Sequence, residues 1–443
     1  MTGSMAWIRR LAAPFTAWAD RWSAILPLLV AEFVVWLGFG ALLPIMPLYF
    51  RDHGVDLATL GIVVAAWPAA RLVGEPIFGW LADRYPRVPL MVAGNIGSGV
   101  FQFLPLVLIG PAPFLVLRAL QGLSTAVYDP AARGYITDAT PPDRRGEAFG
   151  LYGAAQMGGL LFGPAIGGLG AAAFGGIAFV FVFGAISSFI AAAAIAARVR
   201  ESPSVPRGHT ALSLDAAEFP GRPVHAGDGD SLEGATPAEP GRLFNRLLIA
   251  AIILNAGGNF AAGTYEVIWS LFLDGLGAGV GLIGLTFAMF GLPILLLSPY
   301  FGRRADRGRM LWFVVIGGLA PSVTGVLYTL IADPVLAVPL ILVEATGFAM
   351  LNPALFALAA AGSPPGRSST AQGIYGASGT IGFVIASLVA GFLAEIDIRL
   401  PFWVFSAVML VALAGGLVVG GPFLSRAGRH REPREAGSAG VGV

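Results

Sequence analysis

The sequence predicts an all-α membrane protein, with twelve transmembrane helices in two pseudo-symmetric six-helix bundles around a central cavity. Three observations carry that expectation. The 443-residue chain is 56% hydrophobic and only 12% charged, with a mean hydropathy of +0.76. Soluble domains average about 25% charged residues. Apolar runs long enough to cross a bilayer recur along the chain. A single offset of 223 also maps the first half onto the second. Gly40 falls on Gly263, Pro76 on Pro299, Gly79 on Gly302, Asp83 on Asp306, Arg84 on Arg307, Pro130 on Pro353, Arg144 on Arg367 and Gly159 on Gly382, and GLYG at 150–153 falls on GIYG at 373–376. Parallel repeats of this kind put a transport site near the midplane between the halves.

Residues 1–24 set Arg9, Arg10 and Arg21 among tryptophans and aliphatics, the pattern of an amphipathic segment on the inner membrane surface or, equally, of a frayed tail. No cleavable signal peptide is evident. The N-terminal bundle, 25–197, holds spans at about 25–49, 58–82, 88–109, 113–135, 147–170 and 175–197. Residues 198–243 are rich in Pro, Gly and charge and poor in large apolar residues, so they read as a flexible cytoplasmic linker. The C-terminal bundle, 244–423, holds spans at about 245–272, 280–301, 310–331, 335–360, 370–393 and 400–423, and 424–443 reads as a disordered cytoplasmic tail. With the N-terminus inside, 23 of the 27 arginines fall in inner loops and tails. Arg51 and Arg399 are outside, and Arg71 and Arg118 lie within spans. The bias gives cytoplasmic N- and C-termini in the plasma (inner) membrane. There is no cysteine and no lysine, which excludes disulfides, thiolate catalysis, cysteine metal sites and Schiff-base chemistry.

Seven ionisable residues fall inside the spans: Glu32, Arg71, Glu75, Arg118, Asp129, Glu266 and Glu344. At roughly 2.5–3.5 kcal/mol each near the bilayer centre, they must pair, lose charge or face water. The first helix of each triplet (1, 4, 7, 10) carries charge and the last (3, 6, 9, 12) carries none. This spacing predicts that helices 1, 4, 7 and 10 line the cavity and that 3, 6, 9 and 12 are peripheral. Asn255, Asn259 and Glu266 share one stripe of helix 7, and Arg118, Gln121, Thr125 and Asp129 share one of helix 4. Glu32 and Trp36 share a face of helix 1, and Tyr152 and Gln156 one of helix 5. Walls of acids and aromatics suit amphipathic or cationic cargo. The plain reading of Arg71 and Glu75, four apart, is a local ion pair, and that of Asp129 an anchor for inner-loop arginines. All four histidines lie outside the spans. Because a carboxylate taken out of water favours its protonated form, the glutamates are the proton-carrier candidates.

Short motifs then carry a resemblance. GWLADRYPR, Gly79–Arg87, and GRRADRGR, Gly302–Arg309, resemble the Gly-x-x-x-Asp-x-x-Gly-Arg-Arg/Lys loop signature of the major facilitator superfamily, with Pro86 and Val88 at two of its positions and one residue fewer after Asp306. The resemblance implies a latch on the outward-facing state built from Asp83, Arg87 and Asp129, with Gly79, Arg84, Asp306 and Arg307 in the paired loops. RALQG, Arg118–Gly122, resembles the helix-4 signature tied to proton transfer in proton-coupled members. Gly150, Gly159, Gly163, Pro164, Gly167 and Gly168 reproduce the helix-5 antiporter signature of the superfamily's twelve-helix drug–proton exporters. Glycines 159, 163 and 167 lie on one face and allow a neighbouring helix to approach closely. Pro164 removes a backbone donor and predicts a kink. The equivalent positions of helix 11 are Ala386, Ser387 and Ala390, which predicts a straighter helix.

The expectation is therefore a secondary transporter that exports small lipophilic or cationic compounds in exchange for protons by alternating access. Proton-coupled uptake or facilitation of a metabolite or sugar, or lipid transport, remains open on the same fold. The expected partners are a small-molecule substrate, protons and the lipid bilayer, with no nucleic acid, no metal and no cofactor beyond the proton gradient, for a monomer that is not an enzyme.

Overall fold

The computed structural model describes residues 18, 20–82, 84–141, 144–174, 176–201, 244–304, 310–362 and 368–424. The segment 1–17, the linker core 202–243, the tail 425–443, and Asp83, Asp306 and Arg307 lie outside the described residues.

The described residues form twelve long helices: α1 (Leu26–Leu42), α2 (Leu57–Ala82), α3 (Arg87–Phe103), α4 (Pro111–Ala139), α5 (Arg145–Ala173), α6 (Ala178–Arg198), α7 (Arg246–Gly275), α8 (Val280–Arg304), α9 (Met310–Tyr328), α10 (Ala337–Ala361), α11 (Ser368–Ile396) and α12 (Leu400–Leu424). A short helix, Met46–Asp52, continues α1 after a 43° bend. Pro44 and Pro47 sit at that break, each lacking the donor that would continue the helix. Nine of these helices are apolar and long enough to span a membrane alone, and α1 joins them together with its continuation. α4 and α5 fall short for different reasons: α4 carries Arg118, Asp129, Arg133 and Asp138, and α5 carries a run of glycines.

The 223-residue repeat is visible in local geometry. Gly54 and Gly277, 223 apart, have φ of 86° and 87°, a left-handed conformation that glycine adopts without strain. The surrounding bonds repeat as well: Val55 N–H donates to Phe50 C=O at 3.1 Å and Ala278 N–H to Leu273 C=O at 3.0 Å. Just before these glycines, Arg51 pairs with Asp274 at 2.7 Å. These two are also 223 apart, so the repeat axis passes between them.

Within each half the seams follow the small residues. α5 lies on α1, and a Cβ at Gly159 or Gly163 would stand 2.6 Å from the carbonyl oxygen of Phe33 or Leu37. α11 lies on α7 in the equivalent way, with Gly382 against Ala256. Between the halves, α2 crosses α11 at Gly61 and Gly391, and α5 crosses α8 at Gly168 and Gly284. The offset relates these two crossings, since Gly61 maps to Gly284 and Gly168 to Gly391. Both lie at the end that carries the Arg51–Asp274 pair. There Glu395, on α11, also accepts the first N–H groups of α2, from Leu57 at 2.7 Å and Ala58 at 3.2 Å. At the opposite end, a Cβ at Gly150, Gly153, Gly373 or Gly376 would meet nothing within 4 Å. Among the described residues, the halves thus meet at the first end and leave these glycines uncovered at the second, here the closed and the splayed end. α5 runs through Pro164 as one helix, as α11 does through Ser387.

Candidate functional site

A cavity of about 710 Å³ lies between the halves. Its wall is built mainly by α5 (Gly153 to Pro164), α7 (Asn255 to Trp269), α8 (Thr286 to Ser298) and α10 (Ile341 to Phe356), with Leu43 and Phe383 completing it. This corrects the expected arrangement of helices 1, 4, 7 and 10. Among the described residues, α4 supplies no lining residue, because its polar face is taken up by partners on α1, α2 and α7, and α5 and α8 take its place. α3, α6, α9 and α12 supply none either.

Three intramembrane acids occupy three different settings. Glu32 on α1 has no solvent exposure. It accepts from Trp36 Nε1 at 2.8 Å, Gln156 Nε2 at 2.6 Å and the Tyr128 hydroxyl. Trp36 and Gln156, expected on the wall, instead bond Glu32, and Tyr152 is buried in the hydrophobic cluster that also holds Tyr128. Glu266, on α7 and lining the cavity, pairs across the halves with Arg118 of α4 at 3.0 Å. Gln121 accepts from the other arm of that guanidinium at 3.1 Å, and the Trp67 ring lies 5.8 Å from it. Glu344 on α10 borders the cavity but is 1% exposed. The hydroxyls of Tyr265 and Tyr328 donate to its two oxygens at 2.7 and 2.8 Å. Asn255 donates to Tyr375 C=O at 2.7 Å, Asn259 donates to Asn255, and both face the cavity.

A second network binds α2 to α4. Arg71 holds Glu75 at 2.6 Å and also pairs with Asp129, which accepts from Arg133 at 3.5 Å. The relay expected between Arg87 and Asp129 is not formed. Arg87 starts α3 at the end of the bundle and pairs with Asp138 at 2.6 Å. Asp138 lies nine residues beyond Asp129, about 13 Å farther along α4, so Arg87 meets it first. Arg84 stacks on Trp80, 3.7 Å from its ring centroid. Gly79 faces Pro130, as Gly302 faces Pro353. Of the antiporter signature, Gly159, Gly163 and Gly167 form the α1 seam, Pro164 lines the cavity, Gly168 makes the α8 crossing and Gly150 stands free.

Sequence reasoning missed Tyr128, Tyr265, Tyr328 and Asp138. Tyrosine is apolar enough to be lost in a hydrophobic span, yet Tyr128 is seven residues after Gln121 on the charged stripe of α4, and Tyr265 precedes Glu266.

A profile of the Major Facilitator Superfamily matches residues 28–266 and, a second time, 247–440. The chain is 24% identical over 396 residues to the quinolone resistance protein NorA of Staphylococcus aureus (strain COL), covering 87% of this chain and 93% of that one. It is 25% identical over 391 residues to multidrug resistance protein 2 of Bacillus subtilis (strain 168), covering 86% and 91%. Among solved structures, a bacterial homolog of the human lysosomal transporter Spinster, in an inward-facing and occupied conformation, superposes with a TM-score of 0.71 at 14% identity over 92% of this chain and 98% of that one. The nucleoside transporter NupG does so at 0.65, with 14% identity over 89% and 98%.

Proposed function

The chain belongs to the Major Facilitator Superfamily, and from that premise we propose that it exports small lipophilic or cationic compounds in exchange for protons. The observation that carries this reading is the cavity. Its wall is aromatic and aliphatic (Tyr265, Trp269, Phe287, Phe290, Phe348, Phe356), and acids stand at its edge. Such a wall takes apolar bodies by area burial and cations by their attraction to aromatic faces. Glu266 shares its charge with Arg118, whereas Glu32 and Glu344 are held by neutral donors alone. An acid held this way can take up and release a proton without breaking an ion pair. The likeness to two relatives named for quinolone and multidrug resistance supports the substrate class. We place both termini in the cytoplasm, so the splayed end is the inward one, and the monomer as the working unit.

The test is substrate-driven proton release from proteoliposomes, read by a pH dye in the medium. The wild-type protein acidifies the medium on substrate addition, and at least one of Glu32→Gln, Glu266→Gln and Glu344→Gln abolishes the signal. Full coupling in all three variants refutes the assignment.

A further inference from the structure

The two halves differ at one set of equivalent positions, and the difference opens onto the cavity. In the first half, Arg71 and Glu75 of α2 and Asp129 of α4 form the ion-pair network described above. Adding 223 to each gives Ile294 and Ser298 of α8 and Asn352 of α10. α8 packs on α10 as α2 packs on α4. No charge remains in the second set, and all three residues line the cavity. The side chain of Asn352 makes no hydrogen bond to any described residue. The Ser298 hydroxyl oxygen is screened from solvent and has no partner either.

Helix packing alone does not account for these residues. A polar group buried without a partner costs roughly 1–3 kcal/mol, and an apolar residue would fill the Ser298 position without that cost; Asn352 is part-exposed to the cavity, its amide within reach of what enters. An amide left open to a cavity, backed by an unpartnered hydroxyl, is instead what a ligand's hydrogen-bonding group requires. The amide offers both a donor and an acceptor, so it serves a carbonyl, an ether, a hydroxyl or an amine N–H alike.

We propose that Asn352 and Ser298 form a neutral subsite that receives an uncharged hydrogen-bonding group of the substrate, in the place where the first half keeps its ion pairs. The proposal rests on the transport reading above and adds a division of labour. The aromatic wall and the acids recognise the apolar or cationic body, and this subsite recognises a polar substituent. Because neither residue carries charge, the subsite discriminates by hydrogen bonding and does not select for charge. It lies toward the splayed ends of α8 and α10, where the cavity meets incoming substrate.

The experiment compares two lipophilic cations by equilibrium dialysis against the purified full-length protein. Rhodamine 6G carries an ester carbonyl and amine N–H groups, and tetraphenylphosphonium carries no hydrogen-bonding group. In Asn352→Leu, the affinity for rhodamine 6G falls about 3–10-fold relative to that for tetraphenylphosphonium, the worth of one or two neutral hydrogen bonds. Asn352→Gln recovers part of the loss, and Ser298→Ala shows a smaller one. The double variant Ile294→Arg/Asn352→Asp copies the first-half ion pair into the second half, and it loses the preference altogether. Thermal melting of each variant checks folding, and where the leucine variant does not fold, Asn352→Gln and Ser298→Ala carry the comparison. An affinity ratio unchanged from wild type in the folded variants overturns the subsite while leaving the transport reading intact. A wild-type protein that binds neither probe overturns both.

Discussion

The two glycine crossings predict which way the halves tip when one methyl group is added. At Gly168, an alanine Cβ would stand 2.7 Å from Val280 C=O and 2.9 Å from the Gly284 Cα. Carbon contacts are comfortable at about 3.5–4.0 Å, so α5 and α8 must part by roughly 0.7–1 Å. Overpacking of this order costs about 1–3 kcal/mol. Because α5 and α8 belong to different halves, the strain is relieved by tipping the halves apart at this end, and neither bundle has to unfold. At about 1.4 kcal/mol per tenfold, Gly168→Ala shifts the equilibrium away from the closed arrangement by roughly 5–150-fold. Gly153, in the same helix, is the control, since a Cβ there meets nothing within 4 Å. The chain has no cysteine, so spin labels can be placed at Ile109→Cys, in the α3–α4 loop, and Ile396→Cys, at the end of α11, without further changes. Both sites are well exposed. Pulsed electron resonance should show one short distance for the parent and for Gly153→Ala, and a longer population for Gly168→Ala. If Gly168→Ala keeps the parent distribution, or Gly153→Ala shifts as far, the crossings do not set the closed state and the reasoning fails.

Removing one partner of the Arg118–Glu266 pair leaves the other buried and uncompensated, a cost of about 3–5 kcal/mol. Glu266→Gln, which keeps one hydrogen bond but leaves the always-charged Arg118 guanidinium buried without its counter-ion, should therefore lower the melting temperature strongly, while Arg118→Ala, after which the Glu266 carboxyl can be neutralised by a proton, lowers it less. Melting curves in detergent check the order. At the start of α2, the Asp56 carboxylate accepts from Thr59 N–H at 2.8 Å and from its hydroxyl at 2.7 Å, and these bonds hold its pKa below the ordinary 3.8. A depressed folded-state pKa means that the stabilisation is complete above the unfolded value and fades as pH falls through the folded one. Asp56→Ala should thus cost about 0.5–1 kcal/mol, unchanged between pH 8 and 5, with the gap to wild type closing only below pH 4. A gap that closes between pH 7 and 6 contradicts this assignment.

The sequence exposed those parts of the fold that are periodic. Hydrophobic runs and the 223-residue offset are one-dimensional signals, and the helices followed them closely. The partners of charged groups were less visible, because a partner across the bundle leaves no trace in local spacing. Arg71 and Glu75, four apart, were readable as a pair. Arg118 and Glu266, 148 residues apart, were readable only as two expensive residues in need of something. The helix-4 stripe was correctly seen as polar and wrongly assigned to the cavity. Its Arg118 turns to α7, its Tyr128 to Glu32 and its Asp129 to Arg71, so little of that stripe is left to face water.

The same offset that reveals the repeat also marks where function broke it. Positions that hold the closed end stay alike: Gly61 with Gly284, Gly168 with Gly391, Gly54 with Gly277. These serve a motion that both halves share, so each half needs the same shape there. Positions near the cavity diverge instead. Glu32 and Trp36 map to Asn255 and Asn259, Gln121 to Glu344, Arg118 to Ile341, and the Arg71–Glu75–Asp129 network to Ile294, Ser298 and Asn352. A substrate has no twofold symmetry, so a site on the pseudo-axis gains nothing from matched walls. The first half spends its polar residues on bonds within itself and on the Arg118 bridge, and the second half turns most of its own toward the cavity. Substitutions that restore symmetry should therefore be tolerated at the closed end and lose substrate discrimination at the wall.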